Sequence, residues 1–91
     1  MENIHFNITA KGKVQGVWYR KFVRDHALEL NLKGFVKNLP NGDVYLEVEG
    51  EPHKIDQLKE LLKEGPPLSK VFEVKTKEGD FLGFEDFKIS R

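Results

Sequence analysis

The sequence predicts an α+β fold in which two helices cover one face of an antiparallel sheet. Three observations lead there. Apolar residues alternate at period two in several short segments, they recur at helical spacing in two longer ones, and the two kinds interleave along 91 residues. A chain of this length makes one domain, taken as residues 1–91, because it hides only about 60–65% of its unfolded surface and cannot build two cores.

Ile4, Phe6, Ile8 and Ala10 alternate with His5, Asn7, Thr9 and Lys11, which predicts a half-buried strand ending at Gly12. From Tyr19 the period lengthens. Tyr19, Val23, Ala27 and Leu30 form one apolar stripe, with Arg24, Asp25 and Glu29 off it. Asn31 suits the left-handed stop of this helix. Residues 34–39 read as a second strand, and Pro40-Asn41-Gly42 as a tight hairpin in which Asn and Gly accept positive φ. Val44, Leu46 and Val48 alternate in a third strand. A second helix follows, with Pro52 in its first turn and Ile55, Leu58, Leu61 and Leu62 inward, and Gly65-Pro66-Pro67 ends it. Residues 71–76 and 87–89 read as closing strands separated by a loop around Gly79. The order is β-α-β-β-α-β with a short extra C-terminal strand, a ferredoxin-like sandwich. That scaffold hosts many unrelated activities, so function has to be argued from a site.

Composition narrows the classes. There is no cysteine, which removes disulfides and thiolate metal sites. Fifteen basic and fifteen acidic residues balance, whereas nucleic-acid binders usually carry a basic excess, so no nucleic-acid partner is expected. No leader-like N-terminus or membrane-length apolar run is visible, which predicts a cytoplasmic protein with no membrane partner. Twelve Lys and ten Glu resemble a heat-adapted composition, although AT-rich codon usage produces the same bias. His5, His26 and His53 share no metal-ligand spacing and read as surface residues. The carboxylates form no magnesium-type cluster, so neither a metal nor another cofactor is expected.

Residues 12–20, Gly-Lys-Val-Gln-Gly-Val-Trp-Tyr-Arg, join the first strand to the first helix. A glycine-bearing loop entering a helix can aim several backbone N–H groups at one point, and the helix dipole favours an anion there. The loop has neither the Walker A pattern nor G-x-G-x-x-G. Arg20, Lys21 and Arg24 fall in the first turns of the helix, where the dipole opposes each positive charge by roughly 0.3–1 kcal/mol. A bound anion would relieve that conflict. Solvation, or pairing with Asp25, would also satisfy the cations, and spacing alone leaves both readings open.

The same segment resembles the first signature of the acylphosphatase family, G-x-V-Q-G-V-x-F/Y-R. Residues 34–50, GFVKNLPNGDVYLEVEG, resemble the second, and the likeness continues through PPLSKV and the closing FKIS. The resemblance implies hydrolysis of acyl phosphates to a carboxylate and inorganic phosphate, without a metal. It implies Arg20 and Asn38 as catalytic residues, Arg20 binding phosphate and Asn38 positioning the attacking water. Backbone amides of Gln15, Gly16, Val17, Trp18, Tyr19 and Arg20 would form the phosphate cradle. Without the resemblance, Asn38 reads as a turn residue ahead of the hairpin. The Gln15 amide has a plain alternative role, bracing the loop. Trp18 and Tyr19 are expected to pack, Trp18 beside the site entrance.

Two other functions fit the scaffold. Lys33-Gly34-Phe35-Val36 is superficially similar to an RNA-recognition strand, although Lys37 and Asn38 stand where a further aromatic is needed. A non-catalytic accessory module is the second. The chain ends at Arg91 with no attached domain, which favours a free-standing enzyme, and a monomer is expected.

Overall fold

The computed structural model describes residues 2–90. Its elements are β1 (Ile4–Lys13), α1 (Tyr19–Glu29), β2 (Lys33–Asn38), β3 (Val44–Gly50), α2 (Pro52–Glu64), β4 (Lys70–Gly79) and β5 (Phe87–Ile89). The strands form one sheet in the order β4-β1-β3-β2-β5.

Period two in β1 and β3 aligns Ile8 opposite Leu46 and Ala10 opposite Val44, so both strands present these residues to the same face. Val23 and Ala27 from α1 and Ile55, Leu58 and Leu62 from α2 join them, all with no exposed surface. Burying a side chain of this kind contributes roughly 1.5–3 kcal/mol, which drives both helices onto that face. Leu61, expected inward, is only partly buried at the margin of the α2 stripe. Helix α1 ends as expected. Asn31 has φ 59, and the N–H of Leu32 donates to the Ala27 carbonyl at 2.9 Å in a Schellman-type closure. In the β2–β3 hairpin only Gly42 takes positive φ, and Asn41 instead accepts a bond from the Asp43 N–H through its side chain, at 3.0 Å.

Two expectations change. The last strand runs parallel to β2, with Gly34 opposite Phe87 and Val36 opposite Ile89, so the sheet is mixed rather than antiparallel. Chain direction requires this. Strand β4 descends beside β1 at one edge and ends at Gly79 opposite His5. The following segment crosses that end of the sheet, and β5 enters the other edge from the side where β2 also starts. Gly79 is accordingly the last residue of β4 rather than the centre of a loop.

The second correction is His5, which is only 3% exposed. It lies on the sheet face away from the helices, which alternation alone assigns to solvent, but residues 80–86 cover it. Glu49 holds that cover. Its carboxylate accepts the N–H groups of Leu82, Gly83 and Phe84, and meets Nδ1 of His5 at 2.7 Å. Nε2 of His5 faces Asn7 Oδ1 at 2.7 Å and Glu47 Oε1 at 3.2 Å, and the Phe84 ring stacks on the imidazole. With acceptors at both nitrogens, the ring is arranged to carry two N–H donors and a positive charge.

Burial opposes charge on His5, but the bonds to Glu49 and Asn7 and the fields of Glu49 and Glu47 outweigh it, so its pKa lies above the usual 6.5. Burial likewise opposes charge on Glu49, yet the N–H groups of residues 82–84 and His5 hold its pKa below 4.5. Tyr45, bonded to Glu47, is pushed up to about 12 by burial and by that bond, and stays neutral. The His5 contribution to stability is therefore complete below 6.5 and fades as pH rises through its raised value. The Glu49 contribution is complete above 4.5 and fades as pH falls through its lowered value. The melting-temperature gap between the native chain and His5→Gln should accordingly be wider at pH 6 than at pH 9. A gap independent of pH would show that His5 is not charged in the fold.

Candidate active site

At the opposite end of the sheet, the C-terminal ends of β1 and β2 meet the N-terminus of α1. Strand β1 carries an irregularity between Lys11 and Gly12 where it pairs with β4. Gly12 has φ 132, and a Cβ there would lie 2.2 Å from the Lys70 carbonyl oxygen, so the approach requires glycine. Beyond it the chain turns sharply. Gly16 with φ 73 and Trp18 with φ 66 both adopt left-handed backbone.

Left-handed residues in such a turn can direct successive N–H groups to one side rather than along a strand. Among the described residues, none of the N–H groups of residues 15–18 pairs with a backbone carbonyl, although the Trp18 carbonyl accepts from Phe22 at 3.0 Å and starts the helix. The first N–H groups of α1 add to this donor set, since a helix's first turn lacks internal acceptors. Of the predicted cradle residues Gln15, Gly16, Val17, Trp18, Tyr19 and Arg20, the cavity beside this helix N-terminus is lined by Gly16, Trp18, Tyr19 and Arg20 and not by Gln15 or Val17.

The side chains in the run divide by role. Val14 and Val17 are buried and hold the loop down. Gln15 Nε2 donates to the carbonyls of Leu39 and Asp43, each at 2.8 Å, so its amide is the brace that was the alternative to substrate contact. The hairpin it grips is itself fixed, because Lys11 Nζ meets Asp43 Oδ2 at 2.7 Å and Asn41 bonds the same oxygen at 3.1 Å. The Lys11 bond, opposed by partial burial, holds the Asp43 carboxyl below its ordinary pKa. Loop and hairpin base are thereby locked together.

Tyr19 packs as expected. It is 1% exposed, and its hydroxyl donates to the Leu62 carbonyl at 2.8 Å, tying α1 to α2. Burial pushes this phenol far above its usual pKa, so it is a structural donor rather than an acid. Trp18 does not pack. Its side chain is 75% exposed, and its left-handed conformation, unusual for a bulky residue, costs on the order of 1–2 kcal/mol.

Asn38 is the last residue of β2 and continues the inward row of Gly34 and Val36, so a core-facing position carries an amide at the strand end. Its Oδ1 is buried and has no hydrogen-bond partner among the described residues. Leaving such an acceptor unpaired costs about 1–3 kcal/mol, a deficit that a bound water can remove. Asn38 lines a cavity of about 460 Å³ together with Gly16, Trp18, Arg20, Lys21 and Arg24, and with Val14, Tyr19 and Ile89 on its apolar walls. Sequence spacing alone does not bring Asn38 to Arg20; the register of β2 beside α1 does.

The three cations are not equivalent. Lys21 Nζ meets Asp25 at 2.6 Å and Arg24 meets it at 3.3 Å, and the Lys21 bond leads in holding that carboxyl below its ordinary pKa. Both are the solvated pairs that the plain reading anticipated. Among the described residues no carboxylate pairs with Arg20. Among the described residues no carboxylate lines the cavity, and no group of three or more His, Cys, Asp or Glu converges to hold a metal ion. Ile89 escapes sequence reasoning, because it reaches the cavity only through the parallel placement of β5.

The sequence and the fold both match known proteins. The family model described as Acylphosphatase matches residues 6–89. An acylphosphatase of Methanocella arvoryzae is 42% identical over 83 residues, covering 91% of this chain and 94% of that protein. The structure of an acylphosphatase from Coxiella burnetii superposes with a TM-score of 0.94 at 43% identity, covering 97% of this chain and 93% of that one. A full-length HypF, solved in its phosphate- and nucleotide-bound form, matches with a TM-score of 0.89 at 35% identity, covering 99% of this chain but 12% of that one.

Proposed function

The chain belongs to the acylphosphatase family, whose enzymes hydrolyse acyl phosphates to a carboxylate and phosphate, and from that premise we propose that Arg20 binds the phosphoryl group, Asn38 orients the attacking water and no metal takes part. The observation that carries this reading is one cavity lined by Arg20, by Asn38 with its buried Oδ1, and by Gly16 and Trp18 of the loop, where among the described residues Arg20 has no ion pair, Oδ1 no hydrogen-bond partner and the loop N–H groups no backbone acceptor.

An acyl phosphate is a mixed anhydride whose leaving group is a stable carboxylate, so departure needs little help from an acid. The work lies in holding the phosphoryl group and spreading the charge it carries in the transition state. The guanidinium of Arg20 offers a planar, forked pair of donors, and the loop amides supply fixed dipoles that need no reorganisation. Asn38 holds a water in line with the departing carboxylate. The water oxygen bonds to phosphorus as the bond from phosphorus to the carboxyl oxygen breaks, and the carboxylate leaves with the bonding pair. An amide is not a base at neutral pH, so a phosphate or carboxylate oxygen takes the water proton. Products are a carboxylate and inorganic phosphate.

The metal-free part draws support from a cavity lined by three cations and, among the described residues, by no carboxylate. Phe35, the aromatic that an RNA-binding sheet would present, lies edge-on to Phe84 at 5.8 Å and tilted against Tyr45 at 6.1 Å, which weighs against the RNA-binding reading. No helix of the described residues is long and apolar enough to cross a membrane. The test is phosphate release from benzoyl phosphate in excess EDTA. Full activity is expected, and activity that disappears with chelator and returns with magnesium would exclude the metal-free mechanism.

A further inference from the structure

Resting on that assignment of the phosphate end of the cavity, we infer that the Trp18 indole forms its acyl end and selects acyl phosphates with flat, apolar acyl groups. The fold does not account for this side chain. Trp18 occupies the N-cap of α1 yet its side chain makes no capping bond, and it holds left-handed backbone, where a large side chain is disfavoured. Its ring is 75% exposed, whereas the adjacent Tyr19 is sunk in the core. A residue that neither caps nor packs, held in a strained conformation on a braced loop, is one whose direction matters more than its burial. Trp18 lines the same cavity as Arg20 and Asn38.

The chemistry of the walls divides the same way. Arg20 and the loop amides suit an anion. Trp18, Val14 and Ile89 give apolar surface that a phosphoryl group cannot use. An acyl phosphate has both halves, and its planar carboxyl group extends flatly into an aromatic ring when the acyl group is benzoyl. Such a ring can stack on the face of an indole, whereas an acetyl methyl group covers little of it. The cations Lys21 and Arg24, the groups suited to a charged acyl tail, are already shared with Asp25.

The readout is the ratio of kcat/KM for benzoyl phosphate to that for acetyl phosphate, which cancels any general damage to phosphate binding. In Trp18→Gly this ratio should fall about tenfold relative to the native chain, mainly through KM for benzoyl phosphate, because one stacking contact is lost. Trp18→Phe, which keeps a flat ring, should hold the ratio within about threefold of native. Glycine suits left-handed backbone, so Trp18→Gly should fold and melt no lower than the native protein. A second measurement uses the native chain alone. Trp18 is the only tryptophan, so its emission reports the subsite directly. Non-hydrolysable benzoylphosphonate should shift or quench that emission, and acetylphosphonate at equal occupancy should do so far less. A ratio unchanged in Trp18→Gly, or equal emission changes with the two phosphonates, would overturn the subsite and leave the assignment of Arg20 and Asn38 standing. Failure of the native chain to hydrolyse either substrate would overturn both.

Discussion

Replacing Arg20 by Gln should lower kcat/KM for benzoyl phosphate by at least about 10²–10³, the scale for deleting one preorganised transition-state donor. The loss should appear in both parameters, because a guanidinium that holds the phosphoryl group acts in the ground state and more strongly in the transition state. Affinity for inorganic phosphate as a competitive inhibitor should weaken as well. Arg20→Lys keeps the charge but loses the fork, so it should recover only part of the activity. Folding should be spared. Among the described residues Arg20 has no ion pair to break, and removing a positive charge near a helix N-terminus is mildly favourable. Circular dichroism and kinetic constants for the three proteins check this, and Arg20→Gln with near-native kcat/KM would remove Arg20 from the site.

Asn38→Ala should lower kcat by a comparable factor through a different route. If the amide holds water and not phosphate, the dissociation constant of inorganic phosphate should stay near the native value while turnover collapses. Stability gives a second signature. Asn38 Oδ1 is buried without a hydrogen-bond partner among the described residues, so deleting the amide removes an unsatisfied acceptor and the melting temperature should not fall. A structural role in the hairpin would give the opposite pattern, lower stability with turnover intact. The pair Arg20→Gln and Asn38→Ala thus separates phosphate binding from water positioning. Full turnover in Asn38→Ala would leave Arg20 as the only supported catalytic side chain.

Much of this protein is legible in its sequence because the deciding interactions are local or periodic. Alternation in β1 and β3 and the stripe of Tyr19, Val23 and Ala27 specify which side of each element faces inward, since burial of those side chains admits one orientation. Asn31 and Gly42 mark their turns because positive φ is a property of single residues. The loop of residues 12–20 and Arg20 are contiguous with the helix they start, so a candidate anion site is visible in the chain itself, although spacing alone leaves a solvated-cation reading equally open. The link to a particular reaction came from the family signatures, not from spacing.

What the sequence could not decide are the long-range pairings. His5 looked like a solvent-facing strand residue, but a segment about eighty residues later covers it, held by Glu49. The same crossing makes β5 parallel and delivers Ile89 to the cavity. Asn38 was indistinguishable from a turn residue until the sheet placed it beside α1. Gln15 became a brace, and Trp18 a free ring, only once the hairpin stood next to the loop. By itself the sequence determined the elements, their inward faces and the glycine-bearing loop that enters α1, because each depends on near neighbours in the chain. The tertiary structure alone decided the mixed sheet, the buried His5–Glu49 pair and the meeting of Arg20 with Asn38, because these depend on strand order and direction, which the alternation of side chains does not encode.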